Sequence, residues 1–198
     1  MSNKLYISNM CQAGFLHKNT QKIPYQHPFL FCCFMEDDFV RFIETFEEMD
    51  FSNYKKLHYN QSRIYNHQDV YTWDGLNRRL GIVTENTPTI AFENGVQVIY
   101  PHVDFNKFDE KYEKRLKRFL ENKNKEMYFI FRIKSFMNKS AVDRFYNYNK
   151  CKKILLFDEN VSYRHCYKEN EYNKIVITNY EHNYLIKQLK MIGILENY

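Results

Sequence analysis

A strand–helix–strand pattern lies in residues 127–158, MYFIFRIKSFMNKSAVDRFYNYNKCKKILLFD, and it decides the fold class. Two apolar segments, Met127–Ile133 and Lys153–Asp158, flank a stretch at Ser140–Asn149 whose apolar residues recur at helical spacing. Uninterrupted apolar strands are typical of a parallel sheet covered on both faces, because a face that met water would carry polar residues. These residues therefore predict an α/β fold with a largely parallel sheet.

The same alternation of strands and helices continues towards both ends of the chain. A short buried strand is predicted at Leu5–Ser8, and a helix-like pattern follows over Cys11–Lys18. Near the C-terminus a strand is predicted at Lys174–Thr178 and a helix at Asn183–Ile192. We therefore expect residues 1–198 to form a single α/β domain, with a layered, largely parallel sheet flanked by helices.

Three further elements are predicted between residues 29 and 122. The apolar run Phe29–Phe34 has the length of a strand, and apolar residues at helical spacing predict an amphipathic helix over Phe39–Met49. A longer amphipathic helix is predicted over Phe108–Asn122. Its predicted apolar face consists of Phe108, Tyr112, Leu116, Phe119 and Leu120.

A β-hairpin is predicted around Asn94-Gly95, between the strand-like segments Thr89–Phe92 and Val96–Tyr100. An Asn-Gly pair readily takes the two positive φ angles of a tight hairpin turn. We expect this hairpin to be an antiparallel insertion in the sheet or at its edge. Residues 52–81 are polar and aromatic with weak periodicity, and we interpret them as a lid or specificity insertion.

The composition excludes several classes of protein. The 198 residues are 44% hydrophobic and 27% charged, which excludes a disordered or fibrous chain. No apolar run reaches the roughly 20 residues that cross a bilayer, and the start MSNKLYISNM lacks a signal-peptide core, so we expect no membrane span and a cytoplasmic location. Five cysteines without framework spacing fit a reducing compartment. The net charge of +5 is spread among interleaved acidic and basic residues, so nucleic-acid binding is not expected.

Cys11 is the strongest candidate for a catalytic residue because it lies at a predicted strand-to-helix junction. The free N–H groups and the dipole at the start of a helix lower the pKa of a thiol and increase its thiolate fraction. The N–H groups of Cys11 and Gln12 can also donate to the oxyanion that forms when a carbonyl is attacked. In α/β sheets such sites gather at the carboxyl ends of strands. The alternative is that Cys11 is a small buried packing residue.

The remaining cysteines are weaker candidates. Cys32 and Cys33 lie in an apolar run and are expected in the core, and Cys151 is expected in a polar turn. Cys166 lies beside His165 in a loop. These residues lack the paired ligand spacing of a zinc site, so we expect neither a metal nor another cofactor.

A thiolate nucleophile needs a base, and the surroundings of His102 suggest one. His102 ends a predicted strand, and Asp104, two residues later, leaves the same face of an extended segment. An aspartate there can hold the imidazole in one tautomer, as the third member of a catalytic triad does. The alternative is that Asp104 or Asn106 caps the following helix. Other histidines, including His27 and His58, lie in polar or loop contexts that suggest no second group.

Three segments, taken in order, resemble a known family. They are CQAGFLHK at 11–18 with Pro28-Phe29 downstream, Gly95 followed by HVDFN at 102–106, and the basic helix at 110–119 before the strand YFIFRI at 128–133. The chain resembles a family of uncharacterised bacterial and viral proteins classed as papain-like cysteine peptidases. Leu30 stands where that family has a tryptophan after Pro-Phe. The resemblance implies that Cys11 is the nucleophile, that His102 is the base and that Asp104 orients the base.

We therefore expect a cysteine-nucleophile hydrolase of the papain-like peptidase type, acting through a Cys11–His102 acyl-enzyme on an acyl, peptide or glycan substrate. The junction Ser8-Asn9-Met10-Cys11-Gln12 is also similar to one in proteins encoded with capsule and exopolysaccharide genes, some of which look like acyltransferases. This likeness leaves two alternatives open: an acyltransferase, or a non-catalytic accessory protein of surface-polysaccharide biosynthesis. Nucleic-acid binding is the least favoured alternative, and it would use Lys111, Lys114, Arg115, Lys117 and Arg118.

Overall fold

The computed structural model describes residues 4–10, 13–14, 16, 27–66, 83–167 and 174–177. In these ranges the strands are β1 Lys4–Ser8, β2 Tyr54–His58, β3 Pro88–Phe92, β4 Gln97–Ile99, β5 Glu126–Ile133, β6 Lys152–Phe157 and β7 Lys174–Ile177. The α-helices there are α1 Glu36–Glu44, α2 Phe108–Glu121 and α3 Lys139–Asn147. Ala13, Gly14 and Leu16 are helical, as predicted, whereas the helix predicted at Asn183–Ile192 lies outside the described residues.

The larger sheet confirms the predicted fold class. Its strands lie in the order β1-β5-β6-β7, and every neighbouring pair is parallel. The strand–helix–strand unit of the sequence is β5–α3–β6, in which Ile130 lies opposite Ile154. Because all four strands run in one direction, their carboxyl ends meet at one edge of the sheet, where β1 ends at Ser8 and β5 at Ile133.

Both faces of strands β1, β5 and β6 are buried. On one face, strand residues such as Ile7 and Phe131 pack in the main core with the three helices and the second sheet. On the other face, Tyr6 and Ile130 pack with Ala13, Leu16 and Leu30. This double burial is the physical reason that the parallel strands are apolar without alternation.

Helix α2 closely follows its predicted limits. Phe108, Tyr112, Leu116 and Phe119 are buried on one face, which fits their spacing of three and four residues. The prediction for Leu120 is wrong, because its side chain is 49% exposed. Helix α1 is shorter than predicted, since it ends at Glu44 and is followed by a 3₁₀ turn at Phe46–Glu48.

The predicted hairpin is confirmed, and it belongs to a second, antiparallel sheet with the order β2-β3-β4. The prediction of two positive φ angles in the turn is wrong. Gly95 has a positive φ of 82°, but the φ of Asn94 is not positive. Four residues, 93–96, separate the two strands, and the N–H of Gly95 donates to the carbonyl oxygen of Phe92 at 2.9 Å. The side chain of Asn94 accepts from the N–H of Val96 and donates to the hydroxyl of Thr45.

Two further predictions need correction. The predicted strand Phe29–Phe34 is a turn followed by a single antiparallel bridge from Cys33 to Ile99, because Phe31 adopts a φ of 55° that no strand can contain. The segment 52–81, interpreted as an insertion, begins with β2, a strand integrated into the second sheet; residues 67–82 lie outside the described residues. In the described part of the chain, no helix is long and apolar enough to cross a bilayer.

Candidate active site

The carboxyl end of β1 is held in place by the side chain of Asn9. Its Oδ1 accepts from the backbone N–H of Arg132 at 2.9 Å, and its Nδ2 donates to the carbonyl oxygen of Arg132 at 3.0 Å. Asn9 is completely buried, and its own N–H donates to the carbonyl oxygen of Ile130 at 3.2 Å. The side-chain amide therefore extends the ladder between β1 and β5 beyond the end of the strand, and fixes the direction in which the chain leaves it.

The hydroxyl of Ser8 connects the two sides of the strand-to-helix junction. It donates to the carbonyl oxygen of Met10 and accepts from the N–H of Ala13 at 3.0 Å. Ser8 is completely buried, so water does not compete for these bonds. Met10 and Ala13 flank Cys11 and Gln12, the predicted nucleophile and oxyanion donor, which both lie outside the described residues.

The segment at Cys33 and Phe34 brings the end of β4 close to the end of β1. Cys33 exchanges two backbone hydrogen bonds with Ile99, both of 2.8 Å, and the N–H of Phe34 donates to the carbonyl oxygen of Asn9 at 2.9 Å. Met10, Cys33 and Ile99 also belong to one buried apolar cluster. As a result, the residue before Cys11 and the strand that leads to His102 lie in the same region of the molecule.

A second path of contacts reaches the imidazole of His102 itself. The ring of Phe31 lies directly over Gly14, where an added Cβ would be only 2.6 Å from Cδ1 of Phe31. The same ring meets His102 edge to face, with 6.1 Å between the ring centroids. We call this the Gly14–Phe31–His102 path; it joins the helical residues after Cys11 to the predicted base, which is exposed.

Asp104 has the capping role that the sequence left open as an alternative. Its Oδ1 accepts from the N–H of Asn106 at 2.9 Å, at the start of the 3₁₀ turn Phe105–Lys107 that leads into α2. The side chain is exposed, and no ion pair to it is found in the described part of the chain. One carboxylate oxygen therefore stabilises the turn, and the other is open to solvent.

Charged residues at the same sheet edge were missed by the sequence reasoning. Arg132, on β5, forms a two-pronged ion pair with Asp158, which follows β6, with N–O distances of 3.0 and 3.3 Å. Burial, and then the neighbouring charge of Arg132, lower the pKa of Lys134. The sequence signal was present: Arg132 and Asp158 are charged residues at the carboxyl ends of otherwise apolar strands, where parallel sheets place their sites.

The other cysteines behave as structural residues. Cys32 and Cys33 are buried, as predicted. Burial raises the pKa of the Cys151 thiol to about 11, which disfavours its thiolate at neutral pH. Cys166 is exposed. In the described ranges no three histidine, cysteine or carboxylate side chains converge as a metal site requires.

Two histidines differ from their predicted loop settings. His27 is completely buried, with Nε2 at 3.0 Å from the carbonyl oxygen of Tyr6 and its ring beside Phe119. His58 ends β2 and stacks flat on Phe105, with ring centroids 3.7 Å apart. His27 is thus a core residue, and His58 packs against the segment that follows His102.

No protein-family model, curated protein or solved structure matches this chain. The functional conclusion therefore depends on the geometry of the site and on the chemistry of its residues.

Proposed function

We propose that the protein is an acyl-transfer enzyme with a cysteine nucleophile, a hydrolase of the papain-like peptidase type, in which Cys11 attacks the substrate and His102 is the base. The observation that carries the proposal is the Gly14–Phe31–His102 path, because it brings the imidazole to the helical residues that begin two positions after Cys11. The resemblance to papain-like peptidases also implies that Cys11 is the nucleophile and His102 the base.

The junction around Cys11 supports the proposal independently. Ser8 and Asn9 are completely buried, and the hydroxyl of Ser8 bonds to Met10 and Ala13, the residues on either side of Cys11 and Gln12. A nucleophile and its oxyanion donors are effective only when their positions are fixed before the reaction. In this proposal the N–H groups of Cys11 and Gln12 donate to the oxyanion.

The reaction proceeds through an acyl-enzyme. His102 takes the proton of the Cys11 thiol, and the thiolate attacks the carbonyl carbon of an amide, ester or thioester. The bond to the leaving group breaks as His102 returns the proton to the departing nitrogen, oxygen or sulfur. Water, deprotonated by His102, then attacks the thioester and releases the acid and the free thiol. The resemblance assigns Asp104 to orient His102 during these transfers.

A second candidate is an acyltransferase that uses the same thioester but passes the acyl group to a sugar hydroxyl. The observation that favours it is the parallel sheet in which the proposed nucleophile follows the first strand, an arrangement unlike a papain-type split domain. The two candidates can be separated with enzyme that carries an acetyl thioester on Cys11, to which simple sugars are added. Faster loss of the acetyl group in their presence would identify a transferase, and an unchanged rate a hydrolase.

Alkylation of the native protein tests the proposed pair. Iodoacetamide reacts with thiolates, so its rate against pH reports the thiol pKa, and mass spectrometry of peptides separates Cys11 from exposed Cys166. We expect Cys11 to react at pH 6 about tenfold faster than Cys166, because an imidazolium partner maintains the thiolate below the usual pKa of about 8.5. In His102→Ala this advantage should fall to about twofold or less.

Two control variants make the result specific. His165→Ala removes another exposed histidine and should leave the rate at Cys11 unchanged. His102→Gln retains a polar side chain beside Phe31, and it should lose the advantage as His102→Ala does. If the pH profile of Cys11 is the same in wild type and in both His102 variants, the two residues do not form a pair and the proposal is wrong.

A further inference from the structure

A cavity of about 460 Å³ opens beside the segment that carries His102. Its wall includes Pro101 and Val103, the two chain neighbours of His102, and Asp104. The opposite side comes from the end of β2 and from the turn before β3. One residue of an extended substrate spans about 3.5 Å, so a side chain next to the reacting carbonyl can reach this cavity.

The described lining of the cavity carries a negative charge. Asp104 is the one formally charged side chain among its described lining residues. Lys56, two residues before His58 on β2, is ion-paired with Asp109 and so does not neutralise Asp104. Since Asn106 binds one oxygen of Asp104, the other oxygen is available to a ligand.

The uncharged part of the wall also suits a cation on an alkyl stem. Asn86, Asn106 and Thr84 supply amide and hydroxyl oxygens that can accept from N–H donors. Pro101 and Val103 supply apolar surface for methylene groups. An arginine or lysine side chain has this combination of methylenes and N–H donors.

A sugar fits the cavity less well, although its wall contains an aromatic ring. The ring of Phe105 is covered by His58, which stacks at 3.7 Å, and by the ammonium group of Lys56, which lies 4.6 Å from the ring centroid. Phe105 therefore does not present an open face on which a sugar ring could stack.

We propose that this cavity binds a basic side chain of a peptide substrate, with Asp104 as the residue that selects it. The inference rests on the proposed function and adds to it the substrate class: peptides with arginine or lysine close to the cleaved bond. An exposed ion pair with a carboxylate is worth up to about fivefold in binding, so the expected preference is of that order.

Two peptidyl acyloxymethyl ketones that differ only in arginine versus citrulline are the probes for this test. Citrulline has nearly the shape of arginine without its charge. Alkylation of Cys11 by each probe is followed by mass spectrometry, with iodoacetamide as a reagent that has no side chain. In the wild type we expect the arginine probe to react about fivefold faster than the citrulline probe.

Asp104→Asn should reduce this ratio to about one. The two probes are compared in the same variant, so any change in the reactivity of Cys11 itself, which iodoacetamide reports, cancels in the ratio. Asparagine also accepts from the N–H of Asn106, so the capping bond is retained. Glu85→Gln is the matched control, because Glu85 is exposed in the turn before β3 but does not line the cavity; it should leave the ratio unchanged.

The possible results separate this inference from the proposed function. Equal rates for the two probes in the wild type, with Cys11 reactive toward iodoacetamide, overturn the inference alone. A loss in Asp104→Asn that is the same for the arginine and citrulline probes, so that their ratio keeps its wild-type value, also overturns it, since Asp104 then acts on the two probes only through His102. If Cys11 reacts no faster than Cys166 with any reagent, the proposed function fails, and the inference fails with it.

Discussion

Replacing Gly14 by alanine tests the contact that connects the junction to His102. A Cβ at this position would lie 2.6 to 2.7 Å from three atoms of the Phe31 ring, whereas ordinary contacts begin at 3.4 Å. The ring must therefore withdraw by about 0.8 Å. The ring has little space to do so, because it packs against the buried cluster that contains Ala13 and Leu16 and meets His102 edge to face.

The expected energetic effect follows from two opposing contributions. Overpacking of a rigid site costs about 1–3 kcal/mol, while alanine in a helix gains about 1 kcal/mol over glycine. We therefore expect Gly14→Ala to lower the free energy of unfolding by about 1 kcal/mol. In a Phe31→Leu background the ring is absent, so the same change should be neutral or stabilising by up to about 1 kcal/mol. The coupling energy between the two positions is then about 1–2 kcal/mol.

Urea denaturation of four proteins measures this coupling: wild type, Gly14→Ala, Phe31→Leu and the double variant. The slope of unfolding free energy against urea should be the same in all four, since none changes the surface exposed on unfolding. Iodoacetamide labelling at pH 6 adds a functional measurement: Gly14→Ala should reduce the advantage of Cys11 over Cys166, because Phe31 also contacts His102. If Gly14→Ala has the same effect in both backgrounds, Phe31 does not lie on Gly14, and the proposed path is refuted.

Two further predictions concern buried polar groups. Asn9→Ala should lower the free energy of unfolding by about 2–4 kcal/mol in urea denaturation, because it leaves the N–H and the carbonyl oxygen of Arg132 without their partners. A loss below about 1 kcal/mol would show that water replaces the amide. Burial, opposed by Arg63, raises the pKa of Asp38, so the folded state takes up its proton more readily than the unfolded state. The stability of the wild type relative to Asp38→Asn should therefore be greatest near and below pH 3.8, and it should fall as the pH rises through the folded-state pKa. Urea titrations of both proteins at several pH values measure this difference in stability. A difference that grew with pH would contradict the prediction.

Local patterns in the sequence were enough for the elements that bury a regular face. Helix α2 repeats apolar residues every three or four positions, so its limits follow from spacing alone. Strands β5 and β6 contain the consecutive apolar runs Met127–Phe131 and Ile154–Phe157, which are typical of strands buried on both faces. For such elements, the spacing of apolar residues within the element is enough to predict which residues are buried.

Elements that depend on distant partners could not be predicted in the same way. Strand β2 is half-exposed and polar, and it is a strand only because β3, some thirty residues later, pairs with it. The apolar run at Phe29–Phe34 looks like a strand, yet its residues fill three different clusters around a turn at Phe31. In both segments the tertiary contacts override the local preference.

The same division applies to the candidate site. The amino-acid pattern alone predicted the candidate residues: a thiol after the first strand, an imidazole after a later strand and an aspartate two residues beyond the imidazole. No local pattern predicts that Phe31 contacts both Gly14 and His102, that Asn9 bonds to the backbone of Arg132, or that Asp104 lines a cavity; these contacts come from the packing of distant segments. Helices and strands arise from neighbouring residues, whereas these contacts join residues up to 123 positions apart, which only the packed core brings together.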